Sequence, residues 1–190
     1  MGQAAFTRFD VLTPDGTFTA HYSEKGLSRL DFPGSASIQS ARAGGLEKET
    51  RRQDASAPGS TSRRVALARQ ATLNAWHRQT EAALKHVLAG RAPVELPPLD
   101  VSCGTEFQKR VWLAMKKIKP GNTRSYGEIA RSIGKPKAVR AVGGACGANP
   151  IPVLIPCHRV LAANRKIGGF SGGLEWKKTL LSREGVNLAG

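Results

Sequence analysis

The feature that most constrains this fold is a gap. From about residue 35 to residue 64 the chain is rich in Ser, Gly, Ala and Arg and holds almost no large apolar side chain. Such a stretch cannot bury enough surface to offset its ordering entropy, so it predicts a long mobile loop. Packed structure must come from the short segment ahead of it and the longer one behind. Ahead, residues 6–12 and 17–23 flank Pro14-Asp15-Gly16, which suits a tight hairpin turn, and residues 27–32 follow Gly26 as a third strand. That is a β-meander.

Behind the gap the pattern becomes helical. Leu73, Trp76, Leu84, Val87 and Leu88 fall on one face of a helix expected over residues 69–89, with Gly90 as its stop. Pro93, Pro97 and Pro98 then form a stiff connection. The expected organisation is an N-terminal domain over 1–92, a linker over 93–103 and a C-terminal domain over 104–190.

In the C-terminal part the punctuation is sharp. Thr105-Glu106-Phe107-Gln108 fits a capping box, and Phe107, Val111, Trp112, Met115 and Ile118 make the apolar face of the helix that follows. Ser125-Tyr126-Gly127-Glu128 is a second capping-box match, opening a short helix that stops at Gly134. A third helix follows Lys135-Pro136 and runs to about Gly147, and two short helices across a tight turn predict a helix-turn-helix. Leu174, Leu180 and Leu181 suggest a closing helix. Trp112 and Trp176 read as core.

The second helix of that pair is unusual in its side chains. A helix that reads bases in the major groove needs long polar side chains. Residues 138–149 read AVRAVGGACGAN, in which Arg140 and Asn149 are the only such residues. A helix like this can approach DNA closely while reading little sequence, with Arg140 as its one long probe. The charge agrees with a polyanionic partner: of the formal +15, residues 101–190 carry 16 Lys/Arg against 4 Asp/Glu, whereas residues 1–100 carry 13 against 10. Three widely spaced cysteines do not suggest a disulfide framework, and the first twenty residues lack the apolar core of a secretory signal. With no run of about 18 apolar residues either, the expectation is an intracellular protein, cytoplasmic or nuclear, away from membranes.

Residues 151–156 form an apolar, proline-broken run that cannot be a regular helix, and they deliver Cys157 beside His158 and Arg159. A free thiol titrates near ~8.5, and adjacent positive charge favours the nucleophilic thiolate. In an extended segment neighbouring side chains point opposite ways, so His158 is expected to act through water, with a carboxylate orienting its ring. Cys146 and Cys103 are expected to be packing residues.

These residues carry a resemblance. IPCHRV at 155–160 resembles the active-site signature of the O6-alkylguanine-DNA alkyltransferases (methylated-DNA–protein-cysteine methyltransferases). The similarity continues through SYGEIA (125–130), RAVGGA (140–145), NPIP (149–152), GGFSGG (168–173) and REG (183–185). The N-terminal half resembles that family only in general layout. The fold so implied is α+β: a ribonuclease-H-like α/β domain (antiparallel meander plus helix), then a helical, winged-helix-like domain with a helix-turn-helix.

The resemblance also implies roles. Cys157 accepts the alkyl group of O6-alkylguanine, and O4-alkylthymine is a further candidate substrate. His158 takes the thiol proton through water, Glu184 orients the imidazole, Tyr126 donates to the guanine ring, and Asn149 forms a hinge. Arg140 fills the gap left by a flipped base. Ser125, Tyr126, Ala138, Ala141, Gly143 and Gly144 face DNA, while Pro152, Val160, Ser171 and Gly172 line the base pocket. The implied partner is double-stranded DNA containing the damaged base, bound by a monomer that reacts once and inactivates itself. No cofactor is implied. Some relatives carry a structural zinc, but residues 1–100 have no Cys, and His21, His77 and His86 make no convincing metal set. Phe170 stands where some relatives have Tyr. A non-catalytic helix-turn-helix module with an inert cysteine is the alternative, which the intact PCHR argues against. A cysteine hydrolase is weaker still, for want of an oxyanion loop.

Overall fold

The computed structural model describes residues 6–34 and 60–188. Most of the expected loop, residues 35–59, lies outside them. Its last five residues belong to a helix instead: α1 spans Ser60–Leu88, starting nine residues earlier than the apolar pattern implied. The first turns of α1 are exposed, and Leu73 is the first buried side chain on it. Apolar periodicity therefore marks where α1 touches the core, whereas the helix itself begins before that contact.

Strands β1 (Thr7–Thr13), β2 (Gly16–Ser23) and β3 (Gly26–Asp31) form the antiparallel meander, in the order β1-β2-β3. Thr13 pairs with Gly16, leaving Pro14-Asp15 as a two-residue turn. Side chains alternate across a strand, and Phe18, Ala20 and Tyr22 of β2 are accordingly buried against α1. Tyr22 donates to Thr80 Oγ1 at 2.7 Å, and Thr80 donates on to Trp76 O, so this buried hydroxyl pair under the sheet is satisfied.

The proline connection is more than a spacer. Leu27 N donates to Pro98 O at 2.8 Å and Asp100 N to Leu27 O at 2.7 Å, so the connection runs parallel along β3. Gly26 has a φ of 137°, and the Pro98 carbonyl lies where its Cβ would be.

Helices α2 (Glu106–Lys116), α3 (Tyr126–Ser132) and α4 (Val139–Gly147) follow. Both expected capping boxes are formed, Thr105 with Gln108 and Ser125 with Glu128. α4 packs on α2, where Trp112 Nε1 donates to Ala145 O at 2.8 Å. A short parallel pair, β4 (Arg124–Ser125) with β5 (Val160–Leu161), ties the start of α3 to the segment after Cys157. Two-residue strands leave no periodic trace, and this pairing had no signature in the sequence. α5 (Leu174–Arg183) closes the chain. One hydrophobic cluster runs from Phe18 and Leu84 through Trp112 and Met115 to Ile155 and Val160. Among the described residues no helix is long and apolar enough to cross a membrane.

Candidate active site

The segment from Asn149 to Val160 is built to hold one thiol still. Its prolines exclude regular structure, and Val153 sits at a φ of 72°, where a β-branched residue costs about 1–3 kcal/mol. Local bonds hold it there: Ile155 N donates to Ile151 O, and the Asn149 side chain spans the loop. Asn149 Nδ2 donates to Ile155 O at 2.8 Å and to Cys157 Sγ at 3.2 Å, while its Oδ1 accepts from Ile151 N at 3.1 Å. A single buried amide thus joins the end of α4, the proline loop and the sulfur.

Cys157 begins a 3-10 turn, Cys157–Arg159, and not the extended segment expected from the prolines. The His158 ring makes no hydrogen bond to the sulfur, although the main-chain N–H of the same residue does. The ring turns the other way, with Nε2 3.0 Å from Glu184 Oε1 and both side chains fully buried. The carboxylate also accepts from Arg159 Nε at 3.0 and 3.1 Å, from Arg159 Nη2 at 2.8 Å and from Gly121 N at 3.3 Å. Arg159 spends its other arm on Ile118 O at 2.6 Å.

This wiring decides the protonation states. Burial raises the Glu184 carboxyl, but the hydrogen bonds and charges of His158 and Arg159 outweigh it and hold the group below its ordinary range. An ionised carboxylate only accepts, so Nε2 of His158 must carry the proton. Nδ1 is then the basic nitrogen, and it is buried without a protein partner. Burial also lowers the His158 pKa, so the ring is neutral near pH 7. Cys157 stands opposite in character: burial pushes its thiol up to about 11, against the pull of the Asn149 amide, the Lys177 ammonium and nearby main-chain N–H groups. At rest the site holds a neutral thiol and a neutral base.

An acid sensitivity follows. The folded-state pKa of His158 lies below its unfolded value of 6.5, so on acidification the unfolded chain takes up the proton first. Its contribution is intact above about pH 6.5 and is lost progressively as pH falls below that value. Glu184, also lowered, adds a further loss below an unfolded value of 4.5. The urea midpoint should therefore fall between about pH 7.5 and 5.5, and fall less in His158→Gln. Equal falls in both proteins would exclude His158 as the source.

Two functional side chains escaped the sequence reading. Arg159 was credited only with positive charge near the thiol, yet it is the carboxylate's main partner. Lys177 was not singled out at all. It is fully buried, with Nζ donating to Val160 O at 2.7 Å and to the Gly168 and Gly169 carbonyls at 3.3 and 3.4 Å. Its ammonium bridges β5 and the glycine loop, the two walls expected of the base pocket. A signal existed: Lys177, Leu180, Leu181 and Glu184 share one helical face at i, i+3, i+4 and i+7.

The remaining expected residues divide by exposure. Pro152 and Val160 are buried, Ser171 is exposed and Gly172 lies against the Phe32 ring. Tyr126 is half-buried against Gly168, and burial first, then Cys146 and Cys157, raises its pKa, which keeps the hydroxyl a donor. Phe170 and the His158 ring stand nearly perpendicular, with centroids 6.4 Å apart. On α4, Arg140, Ala141 and Gly144 face outward and Val142, Ala145 and Cys146 inward; Ala138 and Gly143 are intermediate, as is Ser125 ahead of α3. Cys146 packs on Met115 Sδ at 3.5 Å as expected of a packing residue, but Cys103 does not: it is exposed in the turn before α2. Among the described residues no cluster of three or more His, Cys, Asp or Glu could hold a metal ion.

A buried thiol and a carboxylate-oriented imidazole, set beside a bare helix face, define a cysteine-dependent class of protein, and the comparisons place it more closely. The family model described as "6-O-methylguanine DNA methyltransferase, DNA binding domain" matches residues 106–186. The chain is similar to the methylated-DNA–protein-cysteine methyltransferase of Methanosarcina acetivorans, at 50% identity over 111 residues that cover 57% of this chain and 69% of that one. It is 54% identical to the Mycolicibacterium paratuberculosis protein of the same name over 93 residues, 47% of this chain and 56% of that one. Among solved structures, the Mycobacterium tuberculosis OGT in complex with DNA superposes with a TM-score of 0.59 at 36% identity, covering 92% of this chain and 90% of that one. The chain belongs to the methylated-DNA–protein-cysteine methyltransferase family, a family of DNA-repair enzymes.

Proposed function

We propose that the protein repairs O6-alkylguanine in double-stranded DNA by moving the alkyl group, once and irreversibly, onto Cys157. The observation that carries this is one buried set of groups: a thiol held by Asn149, an unpartnered His158 Nδ1, and Glu184 fixing the opposite edge of the ring.

In the reaction the Cys157 proton passes through a bridging water to His158 Nδ1, and the sulfur attacks the alkyl carbon on O6. An S–C bond forms and the C–O6 bond breaks. Its electron pair moves into the guanine ring, which Tyr126 protonates or hydrogen-bonds as the leaving group. Glu184 and Arg159 do not touch the reacting atoms; they hold the imidazole and keep the proton on it. The product thioether is not readily hydrolysed, and among the described residues no second nucleophile stands ready to regenerate the thiol, so one protein repairs one base.

A thiol buried this deeply reaches its target only if the nucleotide leaves the duplex, at a cost of about a few kcal/mol. We read α3 and α4 as the helix-turn-helix, and the exposed face of Arg140, Ala141 and Gly144 as the surface that enters the minor groove. Arg140 then occupies the vacated stack. Pro152, Val160, Ser171 and Gly172 line the receiving pocket. The finer fold reading is a ribonuclease-H-like unit of β1–β3 with α1 and a winged-helix-like C-terminal unit, acting as an intracellular monomer.

Mass spectrometry tests the reading. After incubation with duplex DNA containing O6-methylguanine, the peptide carrying Cys157 should gain one methyl group per base repaired. Repaired DNA beside an unmodified peptide would overturn it.

A further inference from the structure

We infer that the ion pair of Asp15 with Arg183 is a positioning device for Glu184, through which the N-terminal meander sets the geometry of the proton acceptor. The inference rests on the reading of His158 and Glu184 given above and adds Asp15, 168 positions from Arg183 in sequence.

Arg183 is the last residue of α5, and Glu184 is the next one. Its guanidinium makes two bonds to the Asp15 carboxylate, at 2.7 and 2.6 Å, and a third to Leu88 O at 3.0 Å. Asp15 sits in the β1–β2 turn, and Leu88 ends α1. The main chains also pass close together here. Gly90, at a φ of 73°, lies so close under the Arg183 carbonyl that a Cβ there would have no room. The N-terminal part thus holds the side chain of the residue that precedes the carboxylate and packs against its backbone.

Helix ends fray, and Glu184 is a C-cap whose N–H reaches back to Leu180 and Leu181. Fraying there would move the carboxylate away from the imidazole. On the far side Arg159, His158 and Gly121 fix the carboxylate itself, so Glu184 is held between two independent anchors. A fork on a carboxylate fixes direction as well as distance. The pair is partly exposed, with side chains 35% and 20% accessible, and such pairs contribute little to stability. Its effect should therefore be read in the reaction before it is read in the fold.

The test measures single-turnover transfer from free O6-benzylguanine to Cys157, which removes DNA binding from the comparison, together with the NMR resonance of the His158 Nε2 proton. Asp15→Ala should slow transfer about three- to tenfold at saturating base and shift that resonance, because small displacements of a catalytic constellation are costly. Asp15→Glu, which keeps the charge, should stay within about twofold. If Asp15→Ala does not fold, Arg183→Lys removes the fork while keeping the charge and should give the same slowing. An unchanged rate and an unshifted resonance, with only a lower melting temperature, would overturn the inference. Absence of benzyl transfer in the unaltered protein would overturn the proposed function instead, and the His158 resonance alone would then decide the role of Asp15.

Discussion

Replacing Arg159 by alanine is expected to destabilise the protein by about 3–5 kcal/mol, read as a fall in the free energy of urea unfolding. The Glu184 carboxylate is completely buried and the Arg159 side chain is 6% exposed. Taking the pair out of water is compensated by four hydrogen bonds from the one guanidinium, three to the carboxylate and one to Ile118 O. Without Arg159 a buried charge keeps only His158 and a long bond from Gly121 N, and the Ile118 carbonyl loses its donor. Arg159→Lys should recover little, since an ammonium cannot reproduce the planar fork. Adding Glu184→Gln to Arg159→Ala should recover a measurable part, because the stranded charge is then gone. A loss below about 1 kcal/mol in the single variant would mean that solvent reaches the pair, and that the carboxylate is not held as described.

Cys157→Ala is expected to abolish alkyl transfer, a loss of roughly 10⁴-fold or more, the scale seen when an enzymic nucleophile is removed. Binding to duplex DNA containing O6-methylguanine should persist, because the expected DNA surface lies on α4 and not in the thiol pocket. The size of the effect follows from the other two cysteines. Burial pushes the Cys146 thiol up to about 12 and its sulfur packs on Met115, so it is neither ionised nor free to move. Cys103 is exposed, ahead of α2 and outside the Asn149–Val160 segment. Gel-shift titration and single-turnover transfer on the same preparation check both halves. Transfer that survives in Cys157→Ala would identify a second nucleophile, and lost binding would place the sulfur within the DNA interface.

The legible parts of this molecule share a cause. The capping boxes at Thr105 and Ser125, the hairpin at Pro14-Asp15 and the breaks at Gly90 and Gly134 are set by residues within four positions of one another. Such local hydrogen bonding and backbone preference act before any tertiary contact forms. The inward residues of α2 and the core face of α1 were readable for a similar reason, since burial imposes a period. Errors came where that reasoning lacked a partner. α1 begins at Ser60 because a helix extends beyond its buried stretch. Cys157 opens a 3-10 turn because main-chain bonds at Ile155 and Pro156, and not proline content alone, shape the loop. Cys103 is exposed although cysteine is usually buried.

By itself the sequence picked out Cys157 as the candidate nucleophile, and it determined the small-residue surface of α4, the charge that favours a polyanion and the order of the helices. Each of these is carried by contiguous residues. Only the tertiary structure decided how the nucleophile is governed. It set Glu184 against His158 across 26 positions, gave Arg159 to that carboxylate, buried Lys177 between β5 and the glycine loop and brought Asp15 to Arg183. All but the last, partly exposed pair are charges removed from water. A buried charge is tolerable only when a specific partner satisfies it, and which partner arrives is settled by packing, not by neighbours in the chain.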